Sequence, residues 1–278
     1  MLPQIPTGDS RFRRESLGHR PRGDAYTGRQ RGKPKSDAEQ ASYRCRQRIV
    51  TMRHRFLHAA IARLPPGVQF ELRRANFSRQ IRRGSFVPDE PEIAEITRHV
   101  RGGDWAIDVG ANVGHYTCHM ARCVGASGRV LAFEPVPVSF ALLAANVRAS
   151  GASNVTLFNV ALSSSAAVLR MAVPPYEHTR LNNYYQAHIS SAGGYPVLCL
   201  PLDAIPIPGL VRLVKIDAEG HDLQVLQGME SLLQRNRPLL IVEGWQSGPV
   251  ASWLRERGYS IRQVTNSANI IAAPLEGH

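Results

Sequence analysis

The chain has 278 residues, 43% of them hydrophobic, and a formal net charge of +12. That is enough for one sizeable globular domain with an appendage, and no apolar stretch reaches the ~18 residues that read as a membrane span. Residues 1–101 carry the whole excess charge, 22 Lys+Arg against 10 Asp+Glu, while the remainder balances. The basicity therefore describes an N-terminal arm, and the rest of the chain has no bulk attraction for nucleic acid. Cys45, Cys118, Cys123 and Cys199 form no CxxC pair and no zinc-type spacing, which excludes a zinc module. With no apolar leader at the N-terminus, the expected location is the cytoplasm.

Residues 1–37 are rich in Arg, Gly, Pro and Ser without an apolar period, and are expected to be a disordered basic arm. Over 38–64, Ile49, Val50, Phe56, Leu57, Ile61 and Leu64 recur at helical spacing, with Pro65-Pro66-Gly67 expected to end the helix. Arg44, Arg46, Arg48, Arg53 and Arg55 crowd that segment. They read as a solvated face, or as a docking surface for an anionic substrate or a membrane. Residues 38–86 are thus an N-terminal helical extension and 87–278 the main domain. Pro91 suits the first turn of a helix through EIAEITRHV. Apolar strands then alternate with helical patterns: strands at 105–109, 129–133, 155–160, 211–216 and 238–242, helices at 115–124, 137–149, 221–234 and 249–257. Such alternation predicts right-handed crossovers and a parallel sheet covered on both faces. Residues 259–264 and 269–273 read as a hairpin turning at Asn266-Ser267. The fold class expected is α/β: a Rossmann-like class I methyltransferase sheet, mostly parallel, with an antiparallel C-terminal hairpin. Between the third and fourth core strands, SAAVLRMAV and YPVLCLPLD read as strands flanking a loop at 174–194 with three Tyr and two His. A loop of that length suggests contact with substrate.

The chemistry-bearing stretches sit at strand ends. IDVGANVGHY, 107–116, carries Asp108, Gly110, Asn112 and Gly114. The spacing is GxxxG, not GxGxxG, and Asn112 stands where a pyrophosphate needs bare backbone. Asp108 also suits a cationic ligand better than phosphate, and S-adenosylmethionine carries both an ammonium and a sulfonium. Glu134, in LAFEP, can accept hydrogen bonds from both hydroxyls of a ribose. Pro135 and Ala161 complete the expected cofactor contacts. At the end of the fourth core strand, LVKIDAEGHD places Asp217, Glu219, His221 and Asp222 where open α/β sheets bind ligands. His221, with an ordinary pKa near ~6.5, is a candidate base. Asp217 is a second candidate, equally suited to orient cofactor or acceptor; as structural alternatives it caps the next helix and His221 is a surface residue. Lys215 is a candidate for a buried ion pair or for catalysis. Asp217 and Glu243 end neighbouring strands and could hold Mg²⁺, although a hydrogen-bonded substrate contact is the preferred reading.

WAIDVGANVGHYT, VLAFEPVPVSFALLAANV, PLD at 201–203, VKIDAEGHDLQVLQG and RPLLIVE together resemble the FkbM-type methyltransferases, from about residue 87 to 245. The resemblance implies S-adenosylmethionine as donor and O-methylation of a sugar or natural-product scaffold. It places Asp108, Gly110, Asn112, Gly114 and Glu134 in the cofactor motifs, and Asp217, Glu219 and Gly220 in the KIDVEG block. This chain has Ala218 where Val is common and Asp222 where Glu is common, and its PLD lacks a preceding Thr. The expected partner is a small-molecule acceptor, anionic if the basic helix serves it. An RNA methyltransferase using the basic arm is the alternative, disfavoured by the neutral core and by the lack of a [DNS]PP[YF] tetrapeptide after the fourth strand.

Overall fold

Strand order in the main sheet follows from which apolar runs can be covered on both faces. The protein is described by a computed structural model over residues 61–175 and 182–275. The basic arm, most of the helix expected at 38–64 and part of the Tyr-rich loop lie outside the described residues. The helices are α1 (Pro66–Arg82), α2 (Ile93–His99), α3 (His115–Val124), α4 (Pro137–Ser150), α5 (Asp222–Gln227), α6 (Glu230–Asn236) and α7 (Pro249–Arg255). The strands are β1 (Trp105–Val109), β2 (Arg129–Phe133), β3 (Val155–Phe158), β4 (Ala161–Leu162), β5 (Ala167–Ala172), β6 (His188–Ile189), β7 (Tyr195–Leu200), β8 (Val211–Ile216), β9 (Leu239–Glu243), β10 (Tyr259–Gln263) and β11 (Asn269–Pro274).

Seven strands form one sheet in the order β10-β11-β9-β8-β1-β2-β3. β3, β2, β1, β8 and β9 run parallel, and β11 and β10 are antiparallel to what precedes them. This is the mostly parallel sheet with a C-terminal hairpin of the class I methyltransferases, as expected. Asn266 sits at the hairpin turn with φ +61°, a conformation Asn tolerates better than most residues.

The period-2 alternation of side chains sorts the core into two faces. Ala106, Val130, Leu213 and Ile241 pack under Ile96, Met120 and Val124 of α2 and α3. Ile107, Val109, Val214, Ile216 and Val242 pack under Val225, Leu226, Leu232 and Leu254 of α5, α6 and α7. Both faces being covered explains why the central strands read as continuous apolar runs.

Three expected elements differ in detail. Pro66 does more than end a preceding helix: it is the first residue of α1, where its missing N–H costs nothing. Phe70, Phe77 and Ile81 of α1 lie against the cluster formed by Leu142, Leu143 and Val147 of α4. The single helix expected at 221–234 is two, α5 and α6, parted at Gly228-Met229. A Cβ at Gly228 would lie 2.0 Å from the Ser163 carbonyl oxygen, so a close backbone crossing breaks the helix there. The strands flanking the Tyr-rich loop do form, but they belong to a separate sheet, β4-β7-β5-β6.

In the PLD element, Asp203 accepts hydrogen bonds from Ser231 N (2.8 Å) and Leu232 N (2.9 Å). It caps the first turn of α6 from the short 3-10 helix Leu202–Ala204. Among the described residues no helix is long and apolar enough to cross a membrane.

Candidate active site

The carboxyl ends of β1, β2 and β8 and the small sheet enclose a cavity of about 390 Å³. Register brings the motifs together there. Val109 pairs with Phe133 and with Ile216, and Ile216 pairs with Val242. The next residues along, Gly110, Glu134, Asp217 and Glu243, therefore emerge side by side.

Glu134 is 5% exposed. One carboxylate oxygen accepts Asn112 N at 2.8 Å and the other accepts Val136 N at 2.8 Å. Burial pushes its pKa up to about 7, against these two bonds, which favour the ionised form. Each carboxylate oxygen has a second acceptor direction left, so Glu134 can hold the glycine turn and still meet hydroxyls in the cavity. Gly110, Asn112, Pro135 and Ala161 also line it. Asn112 has φ +49°, and its Oδ1 is buried without a partner among the described residues.

Two residues of the glycine motif lie off the cavity wall. Asp108 is fully buried, because alternation turns it to the α3 face, where Thr117 Oγ1 donates to it at 2.5 Å. Burial raises its pKa, opposed by Lys215 and Thr117, and its Oδ1 has no hydrogen-bond partner among the described residues. Gly114 is the N-cap of α3, with φ +94°, and a Cβ there would strike Leu143 Cδ1 at 2.6 Å. Gly110 does line the cavity, yet what comes closest to it is the chain itself. A Cβ at Gly110 would lie 1.9 Å from the Asp217 carbonyl oxygen, and Asp217 N donates to the Val109 carbonyl at 3.1 Å.

In the block after β8, Asp217, Ala218, Glu219 and His221 line the cavity. Asp222 shapes the turn, accepting Ala218 N at 3.0 Å and Gly220 N at 3.2 Å. Glu219 has φ +49° and Gly220 φ +89°. A left-handed Glu is strained, and such strain clusters at functional sites. The buried Lys215 forms an ion pair with the partly exposed Asp217, Nζ to Oδ2 at 2.9 Å, and lies 4.7 Å from the centre of the Tyr116 ring. Burial works against its charge, but Asp217 and Asp108 outweigh it and raise the pKa.

The ligand oxygens of Asp217, Glu219 and Glu243 all lie within 4.8 Å of one another. Burial first, then the neighbouring carboxylates, pushes Glu219 and Glu243 up to about 7. Hard oxygen donors of this kind suit Mg²⁺, and the expected pairing of Asp217 with Glu243 gains Glu219 as a third. His221 precedes the first residue of α5. Its Nε2 is 2.9 Å from Ser163 Oγ, and burial lowers its pKa, with Asp222 opposing. It is therefore neutral at pH 7.

Sequence reasoning missed the residues that close the cavity from outside the strand ends. His115 stacks on Phe86, ring centres 4.1 Å apart, and burial lowers its pKa. Asp89 and Glu90 line the cavity from the segment between α1 and α2, and Met171 lines it from the small sheet, while Tyr184 and Ile189 line it from the loop expected to contact substrate. His115 directly follows Gly114 and was open to suspicion. Asp89 and Glu90 carried no signal, because nothing local says that their segment crosses the strand ends.

Residues 108–261 match the family described as the Methyltransferase FkbM domain. The methyltransferase sdnD of Sordaria araneosa is 29% identical over 193 residues, covering 56% of this chain and 73% of that protein. The hexuronic acid methyltransferase AglP of Haloferax volcanii is 32% identical over 131 residues, 46% of this chain and 50% of that protein. Among solved structures, the methyltransferase FkbM of Methylobacillus flagellatus KT is similar at 15% identity with a TM-score of 0.45, over 65% of this chain and 50% of that one.

Proposed function

Because the chain belongs to the FkbM family of methyltransferases, we propose that it moves the methyl group of S-adenosylmethionine to a hydroxyl on a sugar or natural-product-type small molecule. The observation that carries this reading is that Asn112 and Glu134 line the cavity together, joined by a backbone hydrogen bond. Asn112 Oδ1 is buried without a partner among the described residues, and Glu134, at the end of β2, accepts the Asn112 N–H. An unpartnered buried acceptor costs free energy, and an ammonium would satisfy it. Glu134 fits the ribose hydroxyls. The bound cofactor supplies a methyl on a positively charged sulfur. This chain's residues then orient the acceptor, exclude water and take its proton. Asp217, fixed by Lys215, orients; His221, neutral and lining the cavity, is the base.

The cavity's charges favour a neutral or cationic acceptor over an anionic one. Asp89, Glu90, Glu134, Asp217 and Glu219 line it, against Lys215 as the only lysine among the described residues of the wall, and that Lys is already paired with Asp217. A carboxylate or phosphate on the acceptor would meet like charge. The same reasoning weighs against a nucleic-acid backbone at this opening.

Calorimetric titration of the full chain with S-adenosylhomocysteine and with NAD tests the cofactor. Binding of NAD and not of S-adenosylhomocysteine would end this reading. Labelled methyl transfer against metabolite extracts, with and without a chelator, tests the acceptor class. Loss of transfer on chelation would give Asp217, Glu219 and Glu243 a metal-binding role.

A further inference from the structure

His221 lines the cavity, and its Nε2 lies 2.9 Å from the hydroxyl oxygen of the buried Ser163. We infer that Ser163 is a positioning residue for proton removal: its hydroxyl accepts the proton borne on His221 Nε2, so that Nδ1 keeps its lone pair for the acceptor hydroxyl. This rests on the reading above that His221 is the base.

The contact is built rather than incidental. Ser163 is 6% exposed and is not part of the cavity wall. Its backbone follows β4 and is pinned to the small sheet by Ser163 N donating to the Leu200 carbonyl at 3.0 Å. From the other side the break between α5 and α6 closes on it at Gly228, where no side chain could fit. His221 is equally held: its N donates to the Ala218 carbonyl at 3.1 Å, and its own carbonyl accepts Val225 N at 3.2 Å. Two hydrogen-bonded backbone segments 58 residues apart thus hold one 2.9 Å contact.

A serine hydroxyl can donate or accept, and a neutral imidazole has one donor and one acceptor nitrogen. The hydrogen bond at one nitrogen selects what the other can do. The contact to Ser163 Oγ is the only hydrogen bond to this ring among the described residues. Nδ1 is therefore the nitrogen left for the cavity. It can take a proton only if Nε2 carries the ring's own.

The test is a long-range ¹H–¹⁵N correlation spectrum of the full chain with ¹⁵N-labelled histidine at pH 7.5 and saturating S-adenosylhomocysteine. The His221 signals are identified by their loss in His221→Gln. We expect a single Nε2–H tautomer in the wild type, a mixture in Ser163→Ala and recovery in Ser163→Thr. Turnover with an acceptor from the extract screen should fall by a factor on the order of 10–100 in Ser163→Ala with KM unchanged, less than the ~10²–10⁴ that a general base supplies. A proton on Nδ1 in the wild type overturns the inference, whatever the variants do. So does a Ser163→Ala chain with unchanged tautomer and turnover. Tight S-adenosylhomocysteine binding alongside either result leaves the cofactor reading standing. Failure of the wild type to bind S-adenosylhomocysteine overturns that reading and the inference with it.

Discussion

Gly110 and Gly151 share a backbone φ of +74° but have different surroundings. At Gly151, after α4, a Cβ would meet nothing within 4 Å. Gly151→Ala should therefore cost only the left-handed backbone penalty, about 1–2 kcal/mol. At Gly110 the same methyl would lie 1.9 Å from the Asp217 carbonyl oxygen, where real contacts stay above 3.0 Å, so the two backbones must part by about 1.1 Å. Parting them strains or breaks the hydrogen bond from Asp217 N to Val109 O, worth about 1 kcal/mol net. Overpacking adds about 1–3 kcal/mol. Gly110→Ala should thus lose about 3–6 kcal/mol in all. At about 2–4 °C per kcal/mol for a domain of this size, that is a melting temperature lower by about 6–24 °C. Because Gly110 and Asp217 both line the cavity, S-adenosylhomocysteine affinity should fall as well, while Gly151→Ala should leave it unchanged. Thermal melting and calorimetry of both variants measure this. Equal melting temperatures for the two would refute the claim that Gly110 is needed for the approach of β8.

Glu134→Gln replaces one of two oxygens that face backbone N–H donors with an amide NH₂, so the glycine turn should loosen. S-adenosylhomocysteine affinity should drop at least tenfold, about 1.4 kcal/mol, and an unchanged calorimetric Kd would remove Glu134 from the site. Glu243→Gln tests the carboxylate cluster through pH. Burial and its acidic neighbours raise the Glu243 pKa from an ordinary 4.5 to about 7, so the folded chain holds this proton more tightly than the unfolded one. The wild type therefore loses stability as pH rises from ~4.5 to ~7. The variant's melting advantage should be absent near pH 4.5, grow across that window and level off above it; an advantage independent of pH would contradict the repulsion. Asp203→Ala removes the cap on α6 and should cost about 1 kcal/mol, or about 2–4 °C, with S-adenosylhomocysteine affinity unchanged. A loss of affinity instead would place Asp203 in the site.

The order of elements was legible in the sequence because burial on two faces writes itself as apolar runs. Five parallel strands, the C-terminal hairpin and its turn at Asn266 all follow from local pattern and turn chemistry. The strand-end positions of Glu134, Asp217 and Glu243 were legible for the same reason, since each is the polar residue that ends an apolar run. What the glycines meet was not legible. A motif says that something comes close to Gly110, but only the pairing of β1 with β8 shows that it is the Asp217 carbonyl. Nor could a motif show that Asp108 turns away from the cavity while its neighbours line it, because that depends on which face of the sheet α3 covers. Ser163 and Glu90 belong to segments far from the motifs, and their place beside His221 and in the cavity wall comes from the small sheet and from the chain's path over the strand ends. Period and propensity act over a few residues. Contacts between distant backbones are set only when the sheets close.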